Sequence, residues 1–191
     1  MSELLKEQQL LDIITSTFKI KGRVIRDRRV EVFANKELVS SILLFSKKQQ
    51  GFIHLAHMTC IDWIDENKFE LVYTIWSPDE KIHLFVKTKI KRENPEMENI
   101  DSIWDQANTY EREMREMFGI QFPGLIGEQD FALEDWDEIP PMRKDFDTAK
   151  YASETYFNRP GREDAKDVRD TISERSGTKV PDFAKKYSRE K

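Results

Sequence analysis

Apolar residues in the first third of the chain follow two different spacings. Residues 3–18 place leucine, isoleucine and phenylalanine three, four and seven positions apart, which predicts a short amphipathic helix. Residues 19–24 alternate between apolar and polar side chains, and Arg29–Phe33 alternates more clearly, so each segment predicts a strand. Asn35 follows as a candidate N-cap, which predicts that the next helix covers residues 36–48.

The strongest strand signal lies in the middle of the chain. Residues 51–58 predict one strand, and residues 69–76 and 81–90 are rich in aromatic and β-branched side chains, which predicts two more. Residues 77–80 lie between the last two and have turn chemistry, with Pro78 at the second turn position, so we expect an antiparallel hairpin. Together these elements predict an α+β fold: a small, mainly antiparallel sheet with helices packed on one face.

The second half of the chain changes character along its length. Residues 102–118 have helical periodicity, and Gly119 stands where a C-cap glycine is expected. Apolar residues then become sparse, a proline pair stiffens the chain, and single aromatic residues are spaced among charges. Such a segment buries too little apolar surface to offset its ordering entropy, so it is either disordered or an arm that lies on another subunit. Of these two alternatives we expect the arm. We therefore divide the chain into a body at residues 1–122, a loop with a docking segment at residues 123–146, and an extended C-terminal arm at residues 147–191.

Composition and charge exclude several classes of protein. The 191 residues carry a formal charge of −5, so nucleic acid is not the expected partner. The charge is uneven, because residues 143–191 hold 13 basic residues against 10 acidic ones. Cys60 is the only cysteine in the sequence, which leaves no disulfide and no set of thiolates for an iron–sulfur cluster or a nickel site. With neither a signal peptide nor a membrane-spanning run, we expect membrane association only through a partner.

Few residues suggest catalysis or metal binding. His54 and His57 are three positions apart and face opposite sides of a regular strand, so we do not expect them to share a metal ion. Cys60 lies near Asp62 and His57, but no nucleophile elbow or oxyanion element accompanies it. The seven glycines are scattered and form no phosphate-binding loop. The sequence therefore predicts no catalytic residue, cofactor site or metal site in this chain.

One charged residue occupies an unusual position in the helix predicted at 102–118. At about 100° per residue, Glu111 falls inside the apolar stripe, whereas Arg112 points to the opposite face. If Glu111 is buried it needs a hydrogen-bond donor or a cation, because an unpaired buried charge is costly. The alternative is that Glu111 lies at the edge of the stripe and reaches water or pairs with Arg115 one turn later. The spacing leaves both interpretations open.

Two motifs give the most specific signal in the sequence. The first consists of the runs Ser102-Ile103-Trp104, Ala107-Asn108, Tyr110-Glu111-Arg112-Glu113 and Met117-Phe118-Gly119-Ile120. About twenty residues later the second motif reads Pro141-Met142-Arg143-Lys144-Asp145-Phe146. In this order, and with the strands upstream, the motifs resemble those of the 30-kDa subunit family of complex I, over roughly residues 25–150.

The resemblance implies a function that the composition alone does not. Members of that family hold no redox centre. They are non-catalytic structural subunits in the peripheral arm of membrane-bound, ion-translocating respiratory complexes. There they bind the hydrogenase large-subunit-like chain and lie beside iron–sulfur subunits, on the cytoplasmic face of the membrane. The resemblance therefore implies partner contacts at Tyr110, Glu111, Arg112, Glu113, Phe118, Arg143, Lys144 and Asp145. The spaced aromatic residues of the expected arm add Tyr151, Tyr156 and Phe157 as predicted contacts.

Departures from the family pattern indicate a branch. The loop after the helix usually presents a histidine and an arginine, whereas residues 123–130 contain neither, and Glu116 replaces an aspartate. These changes resemble the branch found in archaeal membrane-bound nickel–iron hydrogenases and related complexes. That branch implies iron–sulfur clusters and, in a hydrogenase, nickel–iron in the partner subunits. Two alternatives stay open: a subunit of a quinone- or deazaflavin-linked dehydrogenase of complex I type, and, from another class, a free-standing assembly factor or adaptor.

Overall fold

Five strands between residues 21 and 91 of this protein form one sheet. The structure, a computed structural model, describes residues 5–127, 131–133, 136–155 and 177. The helices of this part are α1 (Leu5–Phe18), α2 (Val39–Gln49), α3 (Ala107–Phe118) and α4 (Thr148–Thr155). The strands are β1 (Lys21–Arg26), β2 (Arg29–Phe33), β3 (His54–Trp63), β4 (Lys68–Ser77) and β5 (Ile82–Lys91). Short 3-10 turns lie at Lys36–Leu38 and Ile64–Glu66.

The strands follow the order β1-β2-β5-β4-β3 across the sheet. β4 and β5 form the predicted antiparallel hairpin, with Trp76 opposite His83 and Phe69 opposite Ile90. β1 with β2 and β3 with β4 are also antiparallel, whereas β2 and β5 are parallel. A parallel pair needs a long connection, and here α2, β3 and β4 supply it. The predicted α+β fold with a mainly antiparallel sheet is therefore confirmed.

The two faces of the sheet differ because side chains alternate along each strand. On β4, Leu71, Tyr73 and Ile75 point to one side and are fully buried with apolar residues of α1, α2 and α3. Burial of each such side chain contributes roughly 1.5–3 kcal/mol, so this layer stabilises the fold. Thr74 and Trp76 point to the other side and stay partly exposed in the described chain. We call the helix-covered side the inner face and the other side the outer face.

Two glycines meet specific geometric requirements. A Cβ on Gly22 would lie 2.7 Å from Leu11 Cδ1 and 2.6 Å from the backbone oxygen of Glu31, so only glycine lets α1 pack this closely on β1. Gly119 has a φ of 79° and donates its N–H to the carbonyl of Arg115 at 2.9 Å. This left-handed residue ends α3 as the sequence predicts.

The start of α2 differs from the sequence prediction. The sequence predicts that Asn35 caps a helix from residue 36, but the Asn35 side chain makes no capping hydrogen bond and the chain first forms a 3-10 turn. The α-helix begins at Val39. The N–H of Leu38 donates to the Asn35 backbone carbonyl at 3.0 Å, so the backbone closes this turn. The predicted cap is wrong.

α3 is shorter and β3 is longer than the sequence predicts. The helix predicted from residue 102 begins at Ala107, because the N–H of Ile103 donates to the Ile100 carbonyl at 2.9 Å and closes a separate turn first. β3 continues past its predicted end to Trp63, because its backbone stays paired with β4 along this length. Local hydrogen bonds in one case and strand pairing in the other outweigh the local sequence preference.

The chain divides between Asp147 and Thr148 into two units, of which the second contains α4. Tyr151 lies on α4. The predicted partner contacts Tyr156 and Phe157 lie outside the described residues. The extended C-terminal arm and the three predicted segments of the chain stay predictions.

Candidate partner-binding site

Glu111 lies on the buried side of α3. Ala107, Met114 and Phe118 form the same buried stripe, and the Glu111 side chain is completely inaccessible to solvent. One of its carboxylate oxygens accepts a hydrogen bond from the Ile100 N–H at 2.8 Å. Glu111 is therefore a buried residue, and the alternative in which it reaches water at the edge of the stripe is wrong.

The surroundings of Glu111 favour its neutral form. Burial raises the pKa of Glu111 to about 7, although the hydrogen bond from Ile100 acts in the opposite direction. Burial, followed by the charge of Glu111, also raises the pKa of Tyr73. Within the described chain, neither Glu111 Oε2 nor the Tyr73 hydroxyl has a hydrogen-bond partner. Glu111 can thus act on a partner only through the position of α3, because its side chain does not reach the surface.

Three of the other predicted contact residues of α3 lie nearer the surface than Glu111, and the fourth, Phe118, is buried. Tyr110 is half-buried, its ring packs edge-on against His57 at 5.5 Å, and its hydroxyl donates to the Ala56 carbonyl at 3.4 Å. Arg112 and Glu113 are also half-buried. The buried Phe118 packs edge-on against the Phe69 ring at 5.9 Å. The motif therefore divides between the core and the solvent side of the helix.

The loop after Phe122 is held against the solvent side of α3. The Asn108 side-chain amide donates to the Ile126 carbonyl at 2.8 Å, and Arg115 donates to the Gly127 carbonyl at 3.2 Å. The Arg112 guanidinium stacks over the Phe131 ring at 5.6 Å. The helix thus anchors a loop that lacks the basic residues of the family pattern.

Glu116 makes the most concentrated contact with this loop. Its carboxylate accepts hydrogen bonds from the backbone N–H groups of Phe131, Ala132 and Leu133, the last two at 2.8 Å. Three donors on one ionised acceptor form a strong local anchor, because charge-assisted hydrogen bonds are stronger than neutral ones. The glutamate that replaces the aspartate of the family pattern therefore fixes the turn at residues 131–133.

The predicted docking segment packs against the body of its own chain. Arg92, only 8% exposed, pairs with Asp62 through contacts of 2.9 and 3.1 Å and with Asp145 at 2.8 Å. Asp62 also accepts the backbone N–H of Lys144 at 2.8 Å. The guanidinium of Arg143 contacts Asp145 at 3.3 Å. One buried arginine thus joins two carboxylates from opposite halves of the sequence.

An aromatic ring completes this network. The guanidinium groups of Arg92 and Arg143 lie 5.4 and 5.5 Å from the centre of the Phe69 ring, where cation–π attraction adds to the ion pairs. Partial burial acts to raise the pKa of Asp145, but its own backbone N–H and the two arginines outweigh that effect and hold the pKa below its usual range. The N–H of Met142 also donates to the Met117 carbonyl at 3.0 Å, which ties the segment to α3. We call the contacts among Asp62, Arg92 and Asp145 the arginine clamp.

The structure offers little support for catalytic or metal chemistry. Burial, with the charges of Asp62 and Glu70, raises the pKa of Cys60 and disfavours a reactive thiolate. A bulge between Leu55 and His57 places His54 and His57 on the same face of β3, so the sequence prediction that they face opposite sides is wrong. Even so, the described residues contain no group of three or more side chains that could hold a metal ion.

No described helix is both long enough and apolar enough to cross a bilayer. Fold and network together define a small α+β domain whose C-terminal continuation starts from a clamped segment. The chain belongs to the family of the respiratory-chain NADH dehydrogenase 30 Kd subunit, whose pattern it matches over residues 32–152. It is thus a subunit of a complex I-like respiratory oxidoreductase.

Relatives in this family belong to complexes with different names. The chain is 32% identical over 100 residues to a subunit of the NADH-quinone oxidoreductase of Moorella thermoacetica, covering 52% of this chain and 68% of the relative. It is also 32% identical over 124 residues to a subunit of the F(420)H(2) dehydrogenase of Methanosarcina mazei, covering 62% of this chain and 76% of the relative. Sequence similarity therefore extends to two kinds of oxidoreductase.

A solved structure shows similarity over a longer stretch. A chain of the membrane-bound sulfane sulfur reductase, described as an archaeal respiratory membrane complex, superposes with a TM-score of 0.68 and 27% identity. The match covers 85% of this chain and 99% of that chain. Similarity to a chain of an archaeal membrane complex thus includes most of the fold described above.

Proposed function

We propose that this chain is a non-catalytic structural subunit of the peripheral arm of an ion-translocating respiratory complex. In this role it binds the hydrogenase large-subunit-like chain on the cytoplasmic face of the membrane, and it reaches the membrane only through the complex. Iron–sulfur clusters and, in a hydrogenase, nickel–iron belong to the partner subunits. The chain itself contributes surfaces and a clasping arm.

The arginine clamp is the observation that carries this proposal. Because Arg92 holds Asp145 at 2.8 Å, the chain leaves the body toward residues 148–191 from a fixed position. A segment that starts from a fixed position loses less freedom when it binds, so the clamp lowers the cost of wrapping a partner. The predicted contacts Arg143 and Lys144 lie beside this exit, where Lys144 is exposed. The positive charge of the arm favours an acidic track on that partner and sets its register.

Two kinds of complex are candidates. The similarity to the archaeal sulfane sulfur reductase chain supports an archaeal-type membrane complex, and the missing histidine and arginine in residues 123–130 support the membrane-bound hydrogenase or a related enzyme. The similarity to the F(420)H(2) dehydrogenase chain of Methanosarcina mazei supports the second candidate, a deazaflavin-linked dehydrogenase. The same scaffold role serves either enzyme.

Native purification from membranes, followed by identification of the co-purifying chains and metal analysis, tests the proposal. We expect a multisubunit assembly that contains a hydrogenase large-subunit-like chain and iron. Nickel together with hydrogen-dependent activity supports the hydrogenase, whereas a nickel-free complex that oxidises a reduced deazaflavin supports the dehydrogenase. Recovery of the chain only as a monomer in the soluble fraction contradicts the proposal and favours an assembly factor.

A further inference from the structure

The outer face of the sheet carries a second candidate surface. Side chains on this face alternate with the buried ones, and the described helices bury their apolar residues on the inner face instead. Large apolar groups on the outer face remain accessible: Phe33 is 41% exposed, Trp63 is 40% exposed and Ile61 is 38% exposed. Exposed apolar groups gathered on one face mark interaction sites more often than scattered ones do.

The charge of this face has the opposite sign to that of the whole chain. Alternation and strand register place eight basic side chains on it, namely Lys21, Arg23, Arg26, Arg29, Lys68, Lys87, Lys89 and Lys91. Two carboxylates, of Glu31 and Glu70, lie on the same face, and Glu66 reaches Lys89 from the turn after β3 at 2.7 Å. A chain with a net charge of −5 thus presents a face with an excess of positive charge.

Both carboxylates of this face are bound within the sheet. Glu31, 1% exposed, pairs with Lys87 at 2.6 Å and with Arg23 across the strands. Glu70, 8% exposed, accepts the indole N–H of Trp63 at 3.1 Å. These contacts occupy the acidic groups and leave lysines at the ends of the strands accessible to a partner.

Aromatic residues lie between these charges. Trp76 packs against His83 with ring centres 4.3 Å apart, and His83 stacks on Phe85 at 6.4 Å. Lys87 and Lys89 lie over the rings of Phe33 and Trp63, at 5.7 and 5.2 Å. Aromatic rings and basic groups are therefore interspersed on this face, and aromatic and arginine side chains are enriched at protein interfaces.

We propose that the outer face is a docking surface for a partner subunit that presents acidic side chains interspersed with apolar ones. This inference rests on the proposed function, because it assumes that the chain works within a complex. Charge complementarity selects the occupant. The excess lysines attract carboxylates, while the aromatic rings supply the contact area that excludes water.

Three other occupants fit less well. A second copy of the chain would place one basic face against another, because a two-fold interface pairs a surface with itself. The segment 148–191 of the chain holds 11 basic and 8 acidic residues, so its charge has the same sign as the face. Single-stranded nucleic acid stacks its bases on open rings, whereas here Glu31 lies among the basic groups and Lys89 covers Trp63.

Charge reversal at exposed positions tests the surface. The full-length triple variant Lys21→Glu, Lys68→Glu and Lys91→Glu changes three exposed lysines of the outer face. The matched control Lys6→Glu, Lys19→Glu and Lys48→Glu makes the same change in net charge on or next to α1 and α2. Each tagged chain is expressed in the source organism, and the amount of solubilised membrane complex retained on it is measured against salt concentration.

We expect the outer-face variant to retain at least about tenfold less complex than the wild type, because opposing charges become like charges. We expect the control variant to retain an amount of complex within about twofold of the wild-type amount. Both variants should keep the circular dichroism spectrum of the wild type. Equal retention by the outer-face variant and the wild type overturns the inference, and so does equal loss in the control. A wild-type chain that retains no complex contradicts the proposed function itself.

A site-specific crosslink provides the second measurement. The photoreactive p-benzoylphenylalanine replaces Phe33 on the outer face or, as a control, Leu44 on α2, which is equally exposed at 40%. We expect crosslinks from position 33 to another subunit of the complex, through a peptide rich in aspartate and glutamate, and none to that subunit from position 44. Crosslinks from position 33 to nucleic acid, to a second copy or to the chain itself overturn the inference, as does the absence of any crosslink in an intact complex.

Discussion

The carboxyl group of Glu111 is completely buried, so solvent water does not hydrate it. One oxygen accepts the Ile100 N–H at 2.8 Å, while the other has no donor in the described chain, and the hydroxyl of Tyr73 is buried in the same region. Because burial raises the pKa to about 7, the proton leaves this group near neutral pH. The protonated carboxyl can donate a hydrogen bond from its second oxygen, which the ionised form cannot do. Glu111 therefore links the stability of the body to pH.

The variant Glu111→Gln should separate this linkage from packing. The pKa of Glu111 is about 7 in the folded chain against 4.5 in the unfolded chain, so between these values the folded state holds a proton that the unfolded state has lost. The wild-type free energy of unfolding therefore falls as pH rises through this window. The glutamine stays neutral, so we expect its stability relative to wild type to rise by on the order of 3 kcal/mol from pH 4.5 to pH 8.

Denaturant unfolding at several pH values measures this difference. The control is Glu113→Gln, which removes a half-buried carboxylate from the same helix. If the free energy of unfolding depends on pH in the same way for wild type and Glu111→Gln, Glu111 is ionised in both the folded and the unfolded chain. That result would contradict the burial of Glu111 in the structure.

Both faces of α3 make contacts within the chain. Its inner stripe packs on the sheet through Met114 and Phe118, while Asn108, Arg115 and Glu116 hold the following loop on its solvent side. A helix fixed on both sides positions that loop more rigidly than packing of a single face would. The family motif in this helix therefore has a structural role within the chain.

Removal of the Glu116 carboxylate should release this loop. In Glu116→Ala the N–H groups of Phe131, Ala132 and Leu133 lose their common acceptor. We expect amide exchange at these residues to become about tenfold faster, with a smaller change in the melting temperature, because local opening needs less free energy than global unfolding. Hydrogen exchange measured by mass spectrometry checks this, with Glu113→Ala as the control. Unchanged exchange at these three amides would mean that Glu116 does not anchor the turn.

Most strands and helices of the body could be predicted from the pattern of apolar residues. The hairpin of β4 and β5 combines dense β-branched composition with a proline turn, and both signals are local. The parallel pairing of β2 with β5 joins strands that are far apart in the sequence, so no local pattern of residues predicts it. The bulge at Ala56 reverses the facing of His57, because one extra residue changes the alternation for the rest of the strand.

Alternation along the strands indicates two members of the arginine clamp, Arg92 and Asp62, but not the third, Asp145. Ile90 is buried, and two positions later Arg92 continues the same inward alternation, which predicts a buried cation in need of a carboxylate. Asp62 lies inward on β3 by the same rule. That Asp145 reaches the pair depends on the fold of a proline-rich segment, where periodicity gives no information. The sequence therefore singles out the segment by resemblance, and the structure adds its contacts within the chain.

The two sides of the sheet carry two kinds of contact. The clamp lies at one end of the inner face, where Asp62 and Phe69 are buried, and it fixes the start of the C-terminal continuation. The basic residues of the outer face lie on the other side of the sheet. A partner that binds both the segment after Asp147 and the outer face is held more tightly than by either contact alone. Once the first contact has formed, the second forms at a high effective concentration. Each contact can then be weakened separately.

Two truncations separate the arm from the clamp. A chain that ends after Asp147 keeps Asp145 on Arg92, so we expect its melting temperature to match the wild type while its co-purification with the membrane complex is lost. A chain that ends after Ile139 also loses Asp145 and the Lys144 N–H that binds Asp62, which should lower its free energy of unfolding by about 1–3 kcal/mol. Thermal unfolding and co-purification are measured on both chains. If the chain that ends after Asp147 stays with the complex as firmly as the wild type, the arm does not clasp the partner, and contacts made by residues 1–147 supply the attachment.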